Sequence, residues 1–326
     1  MIYNLDYHIN VGNYTLKMIE SVTIKRSVEL LSDTAVITLP SMIAGKAINA
    51  TDSTLDYLEK TIKAGDKVII SLGYNDTLTK EFEGYIEHIE NDDNAIKLHC
   101  EDEIYRFRKP LPDKQFTKIT LKNLLSWVIS QIDSSIKLNC DYDFTYDSFV
   151  VKGATGYDIL KKIQEEAKPN VYMKDGTLHI RPQYVEIFGE AAYDFMQNIE
   201  TSKLKYKQAE QRKLLVEVEG KSADGKVIKV ESGTPGGERM TIKTSGISDK
   251  KSLQHIADET LKAHVYTGYE GSFTGWLVPF CDAGYKVTIV DKDYEFKNGS
   301  YYVLGVEVNF SASGGERTVA IGKKID

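Results

Sequence analysis

Six histidines, three cysteines and one short acidic run are the side chains of this sequence best suited to catalysis or metal binding. His8, His88, His99, His179, His255 and His264 form no HExxH motif, and none stands at ligand spacing from a cysteine. His88, His99 and His179 fall in predicted strands, where a hydrogen-bonded structural role is expected. His255 and His264 lie on one predicted helix, too far apart to share an ion. Cys100, Cys140 and Cys281 are widely spaced, unlike a disulfide framework or a zinc site, and fit folding in a reducing cytoplasm. Glu101, Asp102 and Glu103 follow Cys100 at a strand end. A calcium loop interleaves carboxylates with a glycine and ends on a glutamate at fixed offset, which this run does not do. It reads instead as a strand-end turn whose ion-pair partner is Arg106 or Arg108. Gly233-Thr234-Pro235-Gly236-Gly237 could cradle an anion, but Pro235 has no N–H and the loop leads into a strand at Met240, so a mobile loop is expected. No GxSxG or GxxxxGK[ST] occurs, and no GxGxxG follows a strand. These residues give no catalytic residue, cofactor-binding residue or metal ligand, no cofactor, and no enzyme.

The elements that position these residues are mainly strands. Ser21 to Arg26, Thr34 to Pro40, and Val68, Ile70 and Leu72 alternate with period two, the mark of a strand with one buried face. Four to six strands within about 105 residues fit a small barrel or sandwich. Pro110 and Pro112 disfavour both helix and central strand, and place a domain boundary there. Beyond it, Thr120 caps a predicted helix with Leu121, Leu124, Leu125, Val128, Ile129 and Ile132 on one face. A second helix starts at Thr155, with Asp158 completing a variant capping box, and Pro169 closes it. Asp175-Gly176 between two apolar runs predicts a type I′ hairpin. Strands return at Leu214 to Val218 and Lys226 to Val230, around a turn at Ala223-Asp224-Gly225. Ser248 caps a third helix carrying Leu253, Ile256, Ala257, Leu261 and His264. Gly-Gly-Glu-Arg occurs at Gly236–Arg239 and again at Gly314–Arg317, each reading as a hairpin turn before a strand.

One phrase is used twice: Ala64-Gly65-Asp66-Lys67-Val68-Ile69-Ile70 and Ala283-Gly284-Tyr285-Lys286-Val287-Thr288-Ile289. Each copy leads through a turn-rich stretch to a tyrosine-bearing strand, Gly84 to Ile89 or Tyr301 to Val306. A further alternating strand follows, Ile96 to Cys100 or Arg317 to Ile321. The pattern predicts a duplicated β module, Ala64–Cys100 and Ala283–Ile321, interrupted by a helical insertion.

At 326 residues the chain has room for two or three domains. Hydrophobic residues make up 41% and charged residues 27%, which sets aside disordered and low-complexity classes. Tyrosine is abundant, with 20 copies, and favours strands and interfaces. A net charge of -7 argues against a tight nucleic-acid or anionic-membrane surface. The basic stretch Lys203, Lys205, Lys207, Arg212 and Lys213 reads as a solvated strand face, with polyanion contact the alternative. Neither a signal peptide nor an apolar membrane span is read in the sequence.

Ser32 to Pro40, Gly65 to Val68, Gly73-Tyr74, Phe82 to Ile86 and Cys100-Glu101-Asp102 together resemble the N-terminal β domain of phage tail hub proteins. These are the late control protein D family of contractile-tail baseplates, related to the base of type VI secretion spikes. The likeness continues through Phe149 to Val151, the Thr155 helix, and the stretch from Gly284 to Arg317. It implies an α+β, mainly β fold: two similar small β-barrel domains separated by an α/β domain, with a helical insertion in the second barrel. Residues 1–110 form the first barrel, 111–195 the α/β domain, and 196–326 the second barrel with its insertion near 231–275. Gly65, Asp66, Gly73, Gly84, Glu101, Asp102, Gly284, Gly305 and Gly315 are the implied structural motif. The family implies a homotrimer, formed either by the chain alone or only on assembly with its partners, whose pseudo-sixfold ring joins a tail tube protein to a spike protein. DNA would pass transiently through its lumen, and the acidic balance of the chain is compatible with DNA or protein sliding there without sticking. Assembly would take place in the bacterial host cytoplasm and the product reside in a virion tail or contractile injection particle. Family members often carry fused spike or peptidase domains; this sequence stops at Asp326 just after the second module, so a separate spike chain is expected. A non-contractile tail-tip adaptor of the same fold, or a β-rich cell-wall or carbohydrate-active enzyme, are the alternatives. The enzyme would show two carboxylates about 5 to 10 Å apart in a deep pocket.

Overall fold

A computed structural model describes residues 4–40, 62–91, 95–142, 145–167, 169–182, 184–221, 226–245 and 250–325. The first seven strands are β1 (Leu5–Val11), β2 (Tyr14–Leu16), β3 (Ser21–Ser27), β4 (Thr34–Pro40), β5 (Lys67–Tyr74), β6 (Thr77–Asn91) and β7 (Ala95–Glu101). Their period-two alternation buries Val22 and Ile24, Ala35, Ile37 and Leu39, and Val68, Ile70 and Leu72 on one side. A short 3₁₀ helix, Glu103–Arg108, then leads away from the sheet.

A separate apolar cluster follows, built on β8 (Lys114–Thr120), α1 (Leu121–Ile132), β9 (Lys137–Cys140), β10 (Thr145–Val151), α2 (Gly156–Ala167), β11 (Pro169–Lys174) and β12 (Thr177–Pro182). Local chemistry fixes each helix start. The Thr120 side chain accepts from Asn123 N–H, and Thr155 and Asp158 make the reciprocal bonds of a capping box. Leu121, Leu124, Leu125, Val128 and Ile129 are buried, as the helical spacing requires. Asp175 and Gly176 both take positive φ, 48° and 70°, the signature of a type I′ turn between β11 and β12.

The remaining strands are β13 (Glu190–Asp194), β14 (Ile199–Ser202), β15 (Lys205–Lys207), β16 (Leu214–Lys221), β17 (Val227–Gly233) and β18 (Glu238–Ser245). After helix α3 (Lys250–His264) come β19 (Gly268–Trp276), β20 (Lys286–Val290), β21 (Gly299–Ser311) and β22 (Gly314–Lys324). Strands β17, β16 and β18 form a three-stranded sheet under α3, with Val216, Val218, Val230, Leu253 and Ala257 as a small core of their own. The predicted turn at Ala223–Gly225 and the Ser248 cap lie outside the described residues.

The fold is mainly β. Among the described residues the two ends of the chain do not form two closed barrels: their strands belong to one 14-stranded sheet whose main path is β14-β19-β22-β21-β3-β4-β7-β6-β5-β1-β2. The path stays open because β3 pairs with β21, so each module offers a strand edge to the other in place of closing on itself. One cluster of buried side chains accordingly runs through both modules. The sequence expectation for the first Gly-Gly-Glu-Arg also needs correction. Gly314–Arg317 does enter a hairpin partner of β21, but the 233–237 loop crosses the end of β16 to place β18 parallel to it, on the side away from β17.

Candidate functional site

The two copies of the repeated phrase fold alike to the level of single hydrogen bonds. In the first, Asp66 N–H bonds Lys63 O at 3.1 Å with Gly65 at φ 90°; in the second, Tyr285 N–H bonds Asp282 O at 3.1 Å with Gly284 at φ 78°. Both are turns whose third residue needs positive φ, which glycine adopts without steric cost. The turn then grips its neighbour strand in the same way. Gly65 N–H donates to Ile86 O and Ile86 N–H to Asp66 O, while Gly284 N–H donates to Val303 O and Val303 N–H to Tyr285 O. Ile86 stands opposite Cys100 and Val303 opposite Ile321, and each ladder then skips a residue, resuming at His88↔His99 and Gly305↔Ala320. A β-bulge at the same place bends both long strands.

The motif residues marked in the sequence lie along these modules and do not converge on one cavity. Gly65 and Gly284 occupy the turns, and Asp66 accepts Lys63 N–H through its side chain at 2.9 Å. A Cβ on Gly73 would sit 1.9 Å from Thr77 O, and one on Gly84 2.0 Å from Glu101 O, so both mark close backbone approaches. Gly305 faces β3, where a Cβ would lie 2.9 Å from Arg26 O; Gly315 packs under Leu277 and accepts the Tyr74 hydroxyl at 3.0 Å. Glu101 and Asp102 do serve the strand end. Glu101 takes Arg108 bidentately, both bonds 2.5 Å, and this pairing raises the guanidinium pKa. Asp102 caps the 3₁₀ helix by accepting Ile104 N–H at 2.9 Å, and also holds Ser32 Oγ and Asp33 N–H. His88 stacks on His99 with ring centres 4.2 Å apart, and His179 on Tyr172 at 4.7 Å. No group of three or more metal-ligating side chains comes together among the described residues.

The densest polar constellation lies where the two modules join, and its members were not singled out in the sequence. Glu81 of β6 is buried and faces two arginines. Arg317 of β22, 0% exposed, places Nη2 2.6 Å from Glu81 Oε1 and Nη1 3.3 Å from Oε2. Its remaining N–H groups reach Cys281 O at 2.8 Å and Leu277 O at 3.1 Å. Arg26 of β3 puts Nη2 3.2 Å from Glu81 Oε2 and donates Nη1 to the Glu81 carbonyl. Its Nε lies 2.6 Å from Asp282 Oδ1, an ionic contact off the N–H axis. The Phe280 ring lies beneath both guanidinium groups, 4.9 Å from Arg317 Cζ and 5.6 Å from Arg26 Cζ. Two cations and two carboxylates thus offset one another in the seam, and the guanidinium forks link β3 and β22 to β6. Arg26 and Arg317 fall in phase with the buried residues of their own strands, Val22 and Ile24 or Val319 and Ile321, and that phase is the signal by which sequence could have found them.

Beside the cluster lies a cavity of about 160 Å³ lined by Arg26, Asp33, Glu81, Phe82, Asp102 and Asp282. Burial raises the Asp33 carboxyl well above its ordinary range, with the charges of Asp102 and Asp282 adding to the shift and Arg26 opposing it. Burial likewise pushes Asp102 up to about 6, against the hydrogen bonds that favour its charge. Desolvation opposes the charge on Arg26, yet Asp282, Glu81 and Asp33 outweigh it and raise the pKa. The arrangement ties β3, β6 and β22 together within the one sheet, with most of its polar groups paired to one another.

In fold the chain is of the class found in prophage tail proteins and type VI secretion components. A tail protein of prophage MuSo2 from Shewanella oneidensis superposes with a TM-score of 0.63 at 14% identity, covering 98% of each chain. A tail protein from Neisseria meningitidis gives 0.64 at 13% identity, over 99% of this chain and 97% of that one. An E. coli component of the type VI secretion system gives 0.58 at 6% identity, over 99% and 77%. In sequence, an uncharacterized 58.7 kDa protein of Haemophilus phage HP1 is 29% identical over 122 residues, which is 36% of this chain and 23% of that protein. No protein-family profile matches the chain.

Proposed function

We propose that this chain is a structural hub of a phage or phage-like contractile tail, without catalysis, forming a homotrimeric ring of pseudo-sixfold symmetry between tail tube and spike. The observation that carries the reading is the repeat: two meanders in one chain share turn, register and bulge. Two equivalent modules in each of three chains present six similar faces to a sixfold tube, while the true threefold remains for the spike. The likeness in fold to tail and type VI components supports the same reading. We divide the chain into module 1–110, α/β unit 111–195, and module 196–326 with its insertion; the separate apolar core between Ile104 and Ile180 supports setting the middle unit apart. Gly65, Asp66, Gly73, Gly84, Glu101, Asp102, Gly284, Gly305 and Gly315 are its shaping residues. DNA passes through the lumen without tight contact, consistent with the acidic charge. Assembly occurs in the host cytoplasm, and the product resides in the tail.

The test is mass in solution, alone and with the tube and spike proteins of the same tail. A trimer in the presence of these partners is expected. A lasting monomer with both present overturns the hub reading, and tight DNA binding at physiological salt overturns the passive lumen.

A further inference from the structure

The joint between the two modules occurs once within the chain, yet the chain carries both halves of it a second time. In the closed joint the outer half of β21 pairs with β3, Gly305 opposite Ser27 and Glu307 opposite Lys25. By the shared register, His88, Ile89 and Glu90 of β6 are the counterparts of Gly305, Val306 and Glu307. Among the described residues, this part of β6 pairs with β7 on one side and with no strand on the other.

The counterpart of β3 is found the same way. Strand β4 sets Ala35 opposite Cys100, and β19 sets Gly271 opposite Ile321, so β4 and β19 are equivalent. Against β4 lie Val22 opposite Ile37 and Lys25 opposite Thr34. Against β19 lie Ser202 opposite Phe273 and Lys205 opposite Glu270. Strands β14 and β15 therefore stand where β3 stands, and Lys205 stands where Lys25 does. Their outer edge is unpaired among the described residues, ending the sheet.

We propose that copies of this chain join head to tail by pairing the free edge of β6 at His88–Glu90 with the β14–β15 edge of the next copy, repeating between chains the β21–β3 joint. Charge supports the match. The closed joint carries an ion pair, Lys25 Nζ to Glu307 Oε2 at 3.7 Å; the open halves carry Lys205 and Glu90 at the same two positions, Glu90 being shared with Lys97 and His99 of β7. Lys205 is exposed and in no ion pair among the described residues, and Lys203 and Lys207 flank it. Lysines along an edge oppose indiscriminate strand addition and admit an edge bearing a carboxylate in register. The two surfaces differ, so the contact is heterologous and closes only as a ring. This inference rests on the ring reading, where three copies supply six joints, three within chains and three between them.

The experiment uses the full chain, with tube and spike proteins added, and follows mass in solution together with cross-linking. Glu90→Cys with Lys205→Cys in one chain gives, on oxidation, disulfide-linked dimers and trimers, since Cys100, Cys140 and Cys281 are buried. Glu90→Lys or Lys205→Glu weakens association roughly tenfold per joint, and the double reversal in one chain restores it. Thermal melting checks that these surface variants fold. A trimer that forms unchanged by either reversal, and yields no cross-link, overturns the edge pairing and leaves the hub reading standing. A chain that stays monomeric with its partners overturns both.

Discussion

The first meander, β5 to β7, and the second, β20 to β22, share a backbone plan and one continuous core but line that core differently. The first is filled by aliphatic side chains: Val68, Ile70, Leu72, Ile86 and Leu98, with Ile9, Ile24 and Ile37 against them. The second adds rings, most of them from β13 and β19, to its own aliphatic residues Val287, Ile289, Val303, Val319 and Ile321. Tyr193, Tyr269, Phe273 and Tyr301 are buried there, and each buried hydroxyl needs a partner. Tyr301 Oη accepts Tyr269 N–H at 2.8 Å, and Tyr193 donates to Pro279 O at 3.2 Å. What the modules keep in common is the glycine turn, the strand register and the bulge. Backbone hydrogen bonding sets the module's shape, and the core is repacked around it with whatever volume fits. They differ also in their edges: the long strand of the second meander is covered by β3, while the corresponding edge of the first is unpaired among the described residues.

The largest way to break this pairing of modules is to unbalance the seam. Glu81→Gln leaves two buried guanidinium groups facing one carboxylate fewer, and should cost about 3 to 5 kcal/mol in chemical denaturation. Next, Gly84→Ala should cost about 3 kcal/mol, because the new Cβ meets backbone at Glu101. The counterpart of Gly84 is Tyr301, which the second meander accommodates with an additional register shift between Tyr301 and Val303, so the glycine requirement belongs to the first module alone. A smaller effect sharpens the comparison. Gly65→Ala pays only for positive φ, about 1 to 2 kcal/mol. Gly284→Ala adds a clash with the Phe188 ring, 2.6 Å from the new Cβ, and should cost about 1 kcal/mol more. Equal losses would show that Phe188 moves aside.

The smallest effect concerns pH. Asp33 has Tyr269 as its counterpart, so a raised carboxyl is a feature of one module only. Because the folded-state pKa values of Asp33 and Asp102 lie above their unfolded values, ionising them opposes folding. That opposition is present above about pH 6, where Asp102 titrates, and fades as pH falls toward the ordinary carboxylate range. Asp33→Asn should therefore raise stability above about pH 6 and lessen the gain in stability as pH falls toward the ordinary carboxylate range. Melting curves across that range check it; an unchanged slope would place the charge elsewhere.

Local chemistry was legible. Thr120, the Thr155 and Asp158 box, and Asp175-Gly176 specify their elements through bonds made within a few residues, so sequence suffices. The repeat was legible for the same reason, since Gly65 and Gly284 answer a backbone demand for positive φ that few residues meet. Glu101 and Asp102 were rightly read as strand-end residues, with Arg108 the pairing partner. The seam was not legible, because Arg26, Glu81, Asp282 and Arg317 are scattered along the chain and an isolated charge in a strand reads as solvated. The Gly-Gly-Glu-Arg at 236–239 was misread as a hairpin turn because its glycines fit either connection; only pairing partners tell them apart.

The sequence by itself determined the strands, the helix caps and the duplication, all of which follow from side-chain period and backbone conformation over short distances. Tertiary structure alone decided that the modules share one open sheet through β3 and β21, that four distant charges neutralise one another at that joint, and that two strand edges stay unpaired among the described residues. Strand edges carry no residue-specific mark, since every backbone offers the same N–H and C=O groups. Which edge meets which is settled by the summed burial and charge balance of the whole fold.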